Sequence, residues 1–191
     1  MNLANPLQLV VQVIVLWLLL GASGIVFIRN LAVVTRLLYP VGVAGSIALA
    51  WAGMSAIGAE PNTTTLPLGL PDWPFQLRID SLSGFFLLLL GTTSVGVSIF
   101  SSGYLRAGET SPPGLQCAYH HVFIASMALV LVTNDAYSFM VFWEIMALSS
   151  YFLVVSDHGN PDIRRTGILY LVIAHLSALA ILLSFGASPR Q

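Results

Sequence analysis

The sequence predicts an all-α fold, a polytopic bundle of about six transmembrane helices with the N-terminus outside. Three observations lead there. Of 191 residues, 57% are hydrophobic and only 8% are charged, whereas a soluble domain carries about a quarter charged residues. Mean hydropathy is +0.86, so there are too few charges to build a water-facing surface. Apolar stretches recur at lengths that cross roughly 30 Å of hydrocarbon, a distance that takes about 20 helical residues.

The stretches are 7–28, 37–59, 82–103, 115–133, 136–155 and 167–186. Each is expected to be helical, because a lone strand leaves its backbone groups unpaired in lipid. The first is expected to stay in the protein, because its first basic residue, Arg29, follows the apolar run instead of preceding it. Gly42, Gly45, Ser46, Gly91 and Gly96 lie within the spans, and small residues let helices pack closely. Residues 60–81 hold Pro61, Pro67, Pro71 and Pro74 and read as an extended connection that is not helical. Within it Asn62-Thr63-Thr64 matches a glycosylation sequon, a pattern short enough to recur by chance. Asp80 reads as the N-terminal cap of the third helix.

The odd-numbered connections hold Arg29, Arg36, Arg106, Arg164 and Arg165, and the other side holds Arg78 and Arg190. Connections rich in arginine stay cytoplasmic, which places those near residues 30, 108 and 160 in the cytoplasm. All seven basic residues are arginine. They form no basic stripe, so nucleic-acid binding is not expected. The single cysteine, Cys117, has no disulfide partner within the chain. Together with His120 and His121 it does not make a closed set of metal ligands. No phosphate loop, dinucleotide fingerprint, catalytic triad or haem-attachment motif is present.

Among the seven basic and eight acidic residues, only Glu144 falls in the middle of a span. An ionised carboxylate there costs about 2.5 to 3.5 kcal/mol on insertion scales, so it needs a partner, a water pocket or a proton. It serves either as a proton carrier or as a neutral bridge between helices. Tyr137, Met140, Ala147 and Tyr151 share its helical stripe. The two tyrosines either extend a proton path or anchor the helix ends at the interface. His175 lies as far into the sixth span as Glu144 lies into the fifth, so the two are expected to approach each other. Imidazole is suited to proton exchange near neutral pH, and a histidine that only bridges helices is the alternative.

The string Phe139-Met-Val-Phe-Trp143-Glu144-Ile-Met146-Ala-Leu148-Ser-Ser150-Tyr151 resembles the Trp-Glu-x-Met-x-Leu-x-Ser-Tyr signature of the antiporter-like membrane subunits. These occur in respiratory complex I, in multisubunit cation/proton antiporters, and in the membrane arms of hydrogenase-4 and formate hydrogenlyase. Ile79-Asp80-Ser81-Leu82-Ser83-Gly84-Phe85-Phe86 and Tyr170-Leu-Val-Ile-Ala-His175 are similar too, the latter most of all to the hydrogenase-4 component B branch. The resemblance runs from about residue 75 to 186.

It implies that Glu144 is the proton-channel acid, with His175 beside it, and that residues 1–191 form one transmembrane domain, the N-terminal portion of a larger fold. It also implies an inner-membrane location, other membrane-arm subunits and the lipid bilayer as partners, and redox chemistry housed elsewhere, with no cofactor or metal in this chain. In that family later helices supply lysines, and this chain has none. It therefore reads as a truncated product or as half of a split subunit. The rival functions are a non-transporting assembly fragment and a subunit of a sodium/proton antiporter.

Overall fold

The computed structural model describes residues 5–70, 73–107, 111–157 and 161–187. Six helices long and apolar enough to cross a membrane run through it: α1 Pro6–Val26, α2 Leu31–Ala56, α3 Ser81–Tyr104, α4 Pro113–Val132, α5 Ala136–Val154 and α6 Pro161–Ala187.

Their starts follow from local chemistry. Asn5 Oδ1 accepts the Leu7 N–H at 3.1 Å, with Pro6 in the first turn of α1. Asn30 Oδ1 accepts from Val33 N. Asp80 and Asp135 cap α3 and α5 by accepting from Ser83 N at 2.9 Å and Ser138 N at 2.7 Å. Each side chain satisfies a donor that the helix itself leaves unpaired. In α2 the turn Val34–Leu38 widens into a π-helix, and Tyr39 N–H reaches back to Val34 O. The widening falls one turn ahead of Pro40, which has no N–H to give to the ordinary ladder.

Two boundaries differ from the sequence expectation. Helix α2 begins at Leu31, not at 37, and α6 begins at Pro161, not at 167. α6 gains a polar first section with Arg164 and Arg165, and α2 gains a mostly apolar one that ends in Thr35 and Arg36. The proline-rich connection is extended, as expected, but it is also paired. β1 (Asn62–Leu70) and β2 (Trp73–Ile79) form an antiparallel hairpin, so one small sheet joins the helices. Its register breaks between Thr65 and Gly69, where Pro67 lacks the N–H a ladder needs.

Packing is pairwise. α2 lies along α3, α1 against α2 and α4, α4 against α5, and α6 chiefly on α5. Small residues set the close approaches. A Cβ on Gly53 would meet Leu88 N at 2.5 Å, and one on Gly91 would meet Ala50 N at 2.5 Å. A Cβ on Gly24 would meet Gly114 O at 2.6 Å. Trp17, Leu49, Leu87 and Ala125 are fully buried in the core between α1, α2, α3 and α4. The outer faces carry exposed Trp51, Phe100 and Leu183, as expected of helices whose solvent is hydrocarbon. Arg29 and Arg106 follow α1 and α3, and Arg36, Arg164 and Arg165 lie in the first turns of α2 and α6, all at one end of the bundle, while Arg78 lies at the other. Arg190 lies outside the described residues.

Candidate functional site

The site lies on the seam between α5 and α6. Asp135 starts α5, which carries Glu144 two and a half turns on. α6 runs back antiparallel and brings His175 alongside. His175 Nε2 stands 3.3 Å from Glu144 Oε2, with 47% and 36% of the side chains accessible. The other ring nitrogen, Nδ1, is 2.9 Å from Leu171 O. A carbonyl can only accept, so Nδ1 carries a proton and donates it. That fixes the tautomer, and Nε2 of a neutral ring offers a lone pair to the carboxylate. A stable contact then needs one more proton between Nε2 and Oε2, giving either imidazolium with carboxylate or imidazole with carboxylic acid.

The tyrosines are not part of that contact. Tyr137 lies at the start of α5 with its ring against Phe75 of the hairpin, centroids 5.8 Å apart. Tyr151 packs edge-on to Phe152 and lies against Gly167 of α6. Among the described residues neither hydroxyl bonds to Glu144. Sequence reasoning missed the second polar bridge of the seam, in which Ser150 Oγ and Tyr170 Oη lie 2.6 Å apart. A usable signal existed. In an antiparallel helix pair, facing residues have nearly constant number sums, and Ser150 with Tyr170 matches Glu144 with His175 in this respect.

Cys117, His120 and His121 are turned away from this seam into the core. His120 Nε2 is 3.1 Å from Ser98 Oγ, and His121 Nδ1 donates to Cys117 O at 2.8 Å. The Tyr39 ring lies within 5.6 Å of both imidazoles. Among the described residues, no group of three histidine, cysteine, aspartate or glutamate side chains could hold a metal ion.

The hairpin is fastened to the same helix. Gln76 N–H donates to Asp135 Oδ2 at 3.0 Å, Asn134 N–H donates to Gln76 O at 2.9 Å, and Leu77 bridges to Thr133. Phe75 also meets Phe142 edge to face at 5.3 Å.

Fold and site together describe a multi-pass membrane protein with an ionisable pair between its last two described helices. No family model matches the chain. It is 36% identical over 115 residues to hydrogenase-4 component B of Escherichia coli (strain K12), covering 60% of this chain and 17% of that protein. It is 30% identical over 118 residues to a putative antiporter subunit, mnhA2, of Staphylococcus saprophyticus, covering 62% of this chain and 15% of that one. A chain of the membrane-bound sulfane sulfur reductase, an archaeal respiratory membrane complex, shares the fold with a TM-score of 0.68 at 20% identity, covering 91% of this chain and 26% of its own length. These likenesses support an antiporter-like membrane subunit family. The chain spans about a sixth of the length of the two curated relatives described.

Proposed function

We propose that this chain is part of a proton-translocating membrane-arm subunit of a hydrogenase-4 or complex I type assembly, in which Glu144 takes up and releases the proton. The observation that carries the reading is the Glu144–His175 contact at 3.3 Å, with the histidine tautomer fixed by Leu171 O. Such a pair exchanges a proton between two adjacent atoms without moving the backbone. His175 passes the proton on or tunes the acid. In this reading the subunit lies in the inner membrane, other membrane-arm subunits cover the exposed side of the pair, and redox chemistry belongs to those partners. Burying the pair against protein avoids the cost of facing it to lipid. The likeness to the putative antiporter subunit supports a second reading, a sodium/proton antiporter subunit using the same carboxylate.

Replacing Glu144 with Gln in the assembled complex tests the first reading. Proton translocation is expected to stop while assembly continues, and undiminished translocation overturns it. Retained electron transfer coupled to translocation in the parent complex favours the respiratory assembly, whereas sodium-dependent proton exchange without a redox substrate favours the antiporter.

A further inference from the structure

We propose that Ser150 and Tyr170 are positioning residues that hold α6 at the rotation that keeps His175 opposite Glu144. The proposal rests on the proton-pair reading above and adds residues that hold the pair together.

The geometry of the seam points to it. From Glu144 to Ser150 the α5 helix turns by about 240°, and from Tyr170 to His175 α6 turns by about 140°. The two polar bridges therefore leave the seam on opposite edges. Between them lie Ala147, Gly167 and Ala178, all buried. A Cβ on Gly167 would run into Val155 and come within 3.3 Å of Tyr151, so small residues of α6 on the centre line receive larger side chains from the α5 side. Contacts on the centre line fix the spacing of the two helices but act with little lever arm against rolling.

Roll is what the pair cannot tolerate. At the radius of a helix with its side chains, a roll of about 20° moves a side-chain tip by about 2 Å, enough to break a 3.3 Å contact. α6 packs chiefly on α5, and its outward residues Leu169, Val172, Leu176 and Leu183 are exposed. A bridge on the edge opposite His175 is therefore placed to oppose the roll. Ser150 Oγ donates to Ala147 O at 2.9 Å, so its lone pairs face outward and Tyr170 supplies the hydrogen across the 2.6 Å gap. That polarity makes the bridge a directed bond with one preferred arrangement.

Among the described residues the other ionisable groups on α4, α5 and α6 lie away from the Glu144–His175 contact. On α4, which packs against α5, Cys117, His120 and His121 are buried in the core, and Tyr119 stacks on Phe152. On α5 itself Tyr137 lies against the hairpin and Tyr151 in the seam. On α6, Asp162, Arg164 and Arg165 lie in the first turns, far along the helix from His175.

The test uses the full chain in lipid nanodiscs with nitrogen-labelled histidine and carbon-labelled glutamate, and reads the dipolar contact between the His175 imidazole and the Glu144 carboxyl carbon by solid-state NMR. His175→Gln assigns the signal. The contact is expected in the unsubstituted chain, to be lost in Tyr170→Phe and in Ser150→Ala, and to be kept in Ser150→Thr, which retains the hydroxyl. A packing role alone would make the added methyl of threonine as disruptive as alanine. If the contact persists in both Tyr170→Phe and Ser150→Ala, the positioning role is overturned while the proton-pair reading stands. If it is missing from the unsubstituted chain, the pair itself falls, and that is seen before any variant is made.

Discussion

Asp135 accepts the backbone N–H of Gln76 at 3.0 Å, so the helix that carries Glu144 begins on a carboxylate shared with the hairpin. The same carboxyl group also takes the N–H and hydroxyl of Ser138 at 2.7 and 2.6 Å. Asp135→Ala removes these bonds. It is expected to lower stability by about 1 to 2 kcal/mol, the upper range for loss of an N-cap, and thermal unfolding in detergent or nanodiscs measures it.

The charge of Asp135 gives a pH signature. Partial burial alone would raise its carboxyl, but hydrogen bonds from Ser138, Gln76 and Tyr137 outweigh it and hold the group below the ordinary carboxylate range. A depressed folded value means that stability is gained above the unfolded value and lost as pH falls through the folded one. Unsubstituted protein and Asp135→Asn should therefore differ in stability at neutral pH and converge in acid, below about pH 4. A gap that persists in strong acid would show that the ionised form is not what caps the helix.

Gly91 and Gly96 lie on one helix and should respond in opposite ways. At Gly91 an added Cβ meets the backbone of Ala50 at 2.5 to 2.8 Å, whereas at Gly96 nothing lies within 4 Å. Gly91→Ala forces α2 and α3 apart and is expected to cost about 1 to 3 kcal/mol. Gly96→Ala is expected to be neutral or to stabilise by up to about 1 kcal/mol, through helix propensity. Parallel melting curves of the two variants check this.

Gly42 and His121 are coupled in space. A Cβ on Gly42 would come within 2.5 Å of His121 Nε2, and His121 is fully buried with that nitrogen unbonded among the described residues. Gly42→Ala and His121→Ala should each destabilise, but the double variant should lose less than the two losses combined, because removing the ring makes room for the methyl. Additive losses in a double-mutant cycle would show that the clash is relieved elsewhere.

At the ionisable pair, Glu144→Gln leaves the Nδ1–H of His175 on Leu171 O and lets the amide donate to Nε2. The contact is expected to survive while its exchangeable proton disappears. Infrared spectra should lose a carboxyl band relative to the unsubstituted chain, and an unchanged spectrum would assign that band to another acid.

The spans were legible because hydrocarbon imposes a length and excludes charge, and both constraints are local. The cap of α3 was legible for the same reason, as Asp80 shows with its bond to Ser83 N. The true starts of α2 and α6 were hidden because Arg36, Arg164 and Arg165 depress hydropathy in turns that are still helical. The hairpin was hidden because its prolines blur the alternation of a strand, and because its second strand is held partly by residues 133–135, far away in sequence. Glu144 and His175 were found by counting depth along two antiparallel spans. Tyr137 and Tyr151 share Glu144's stripe, yet a stripe does not say which neighbour each part of it meets. One meets the hairpin and the other meets Gly167, while the bonded hydroxyls of Ser150 and Tyr170 lie on the far edge.

The pairing of α1 with α4 has a consequence for how the protein is made. Gly24 faces Gly114, Gly21 faces Ala118, and Gly114 N–H bonds to Ile28 O at 3.0 Å. During synthesis the surface of α1 that ends up against α4 must wait in the membrane while α2, the hairpin and α3 are inserted, some ninety residues later in the chain. The nascent subunit thus passes through a stage with one helix only half housed, open to lipid or to an insertion chaperone, until the fourth helix arrives and closes the bundle from behind.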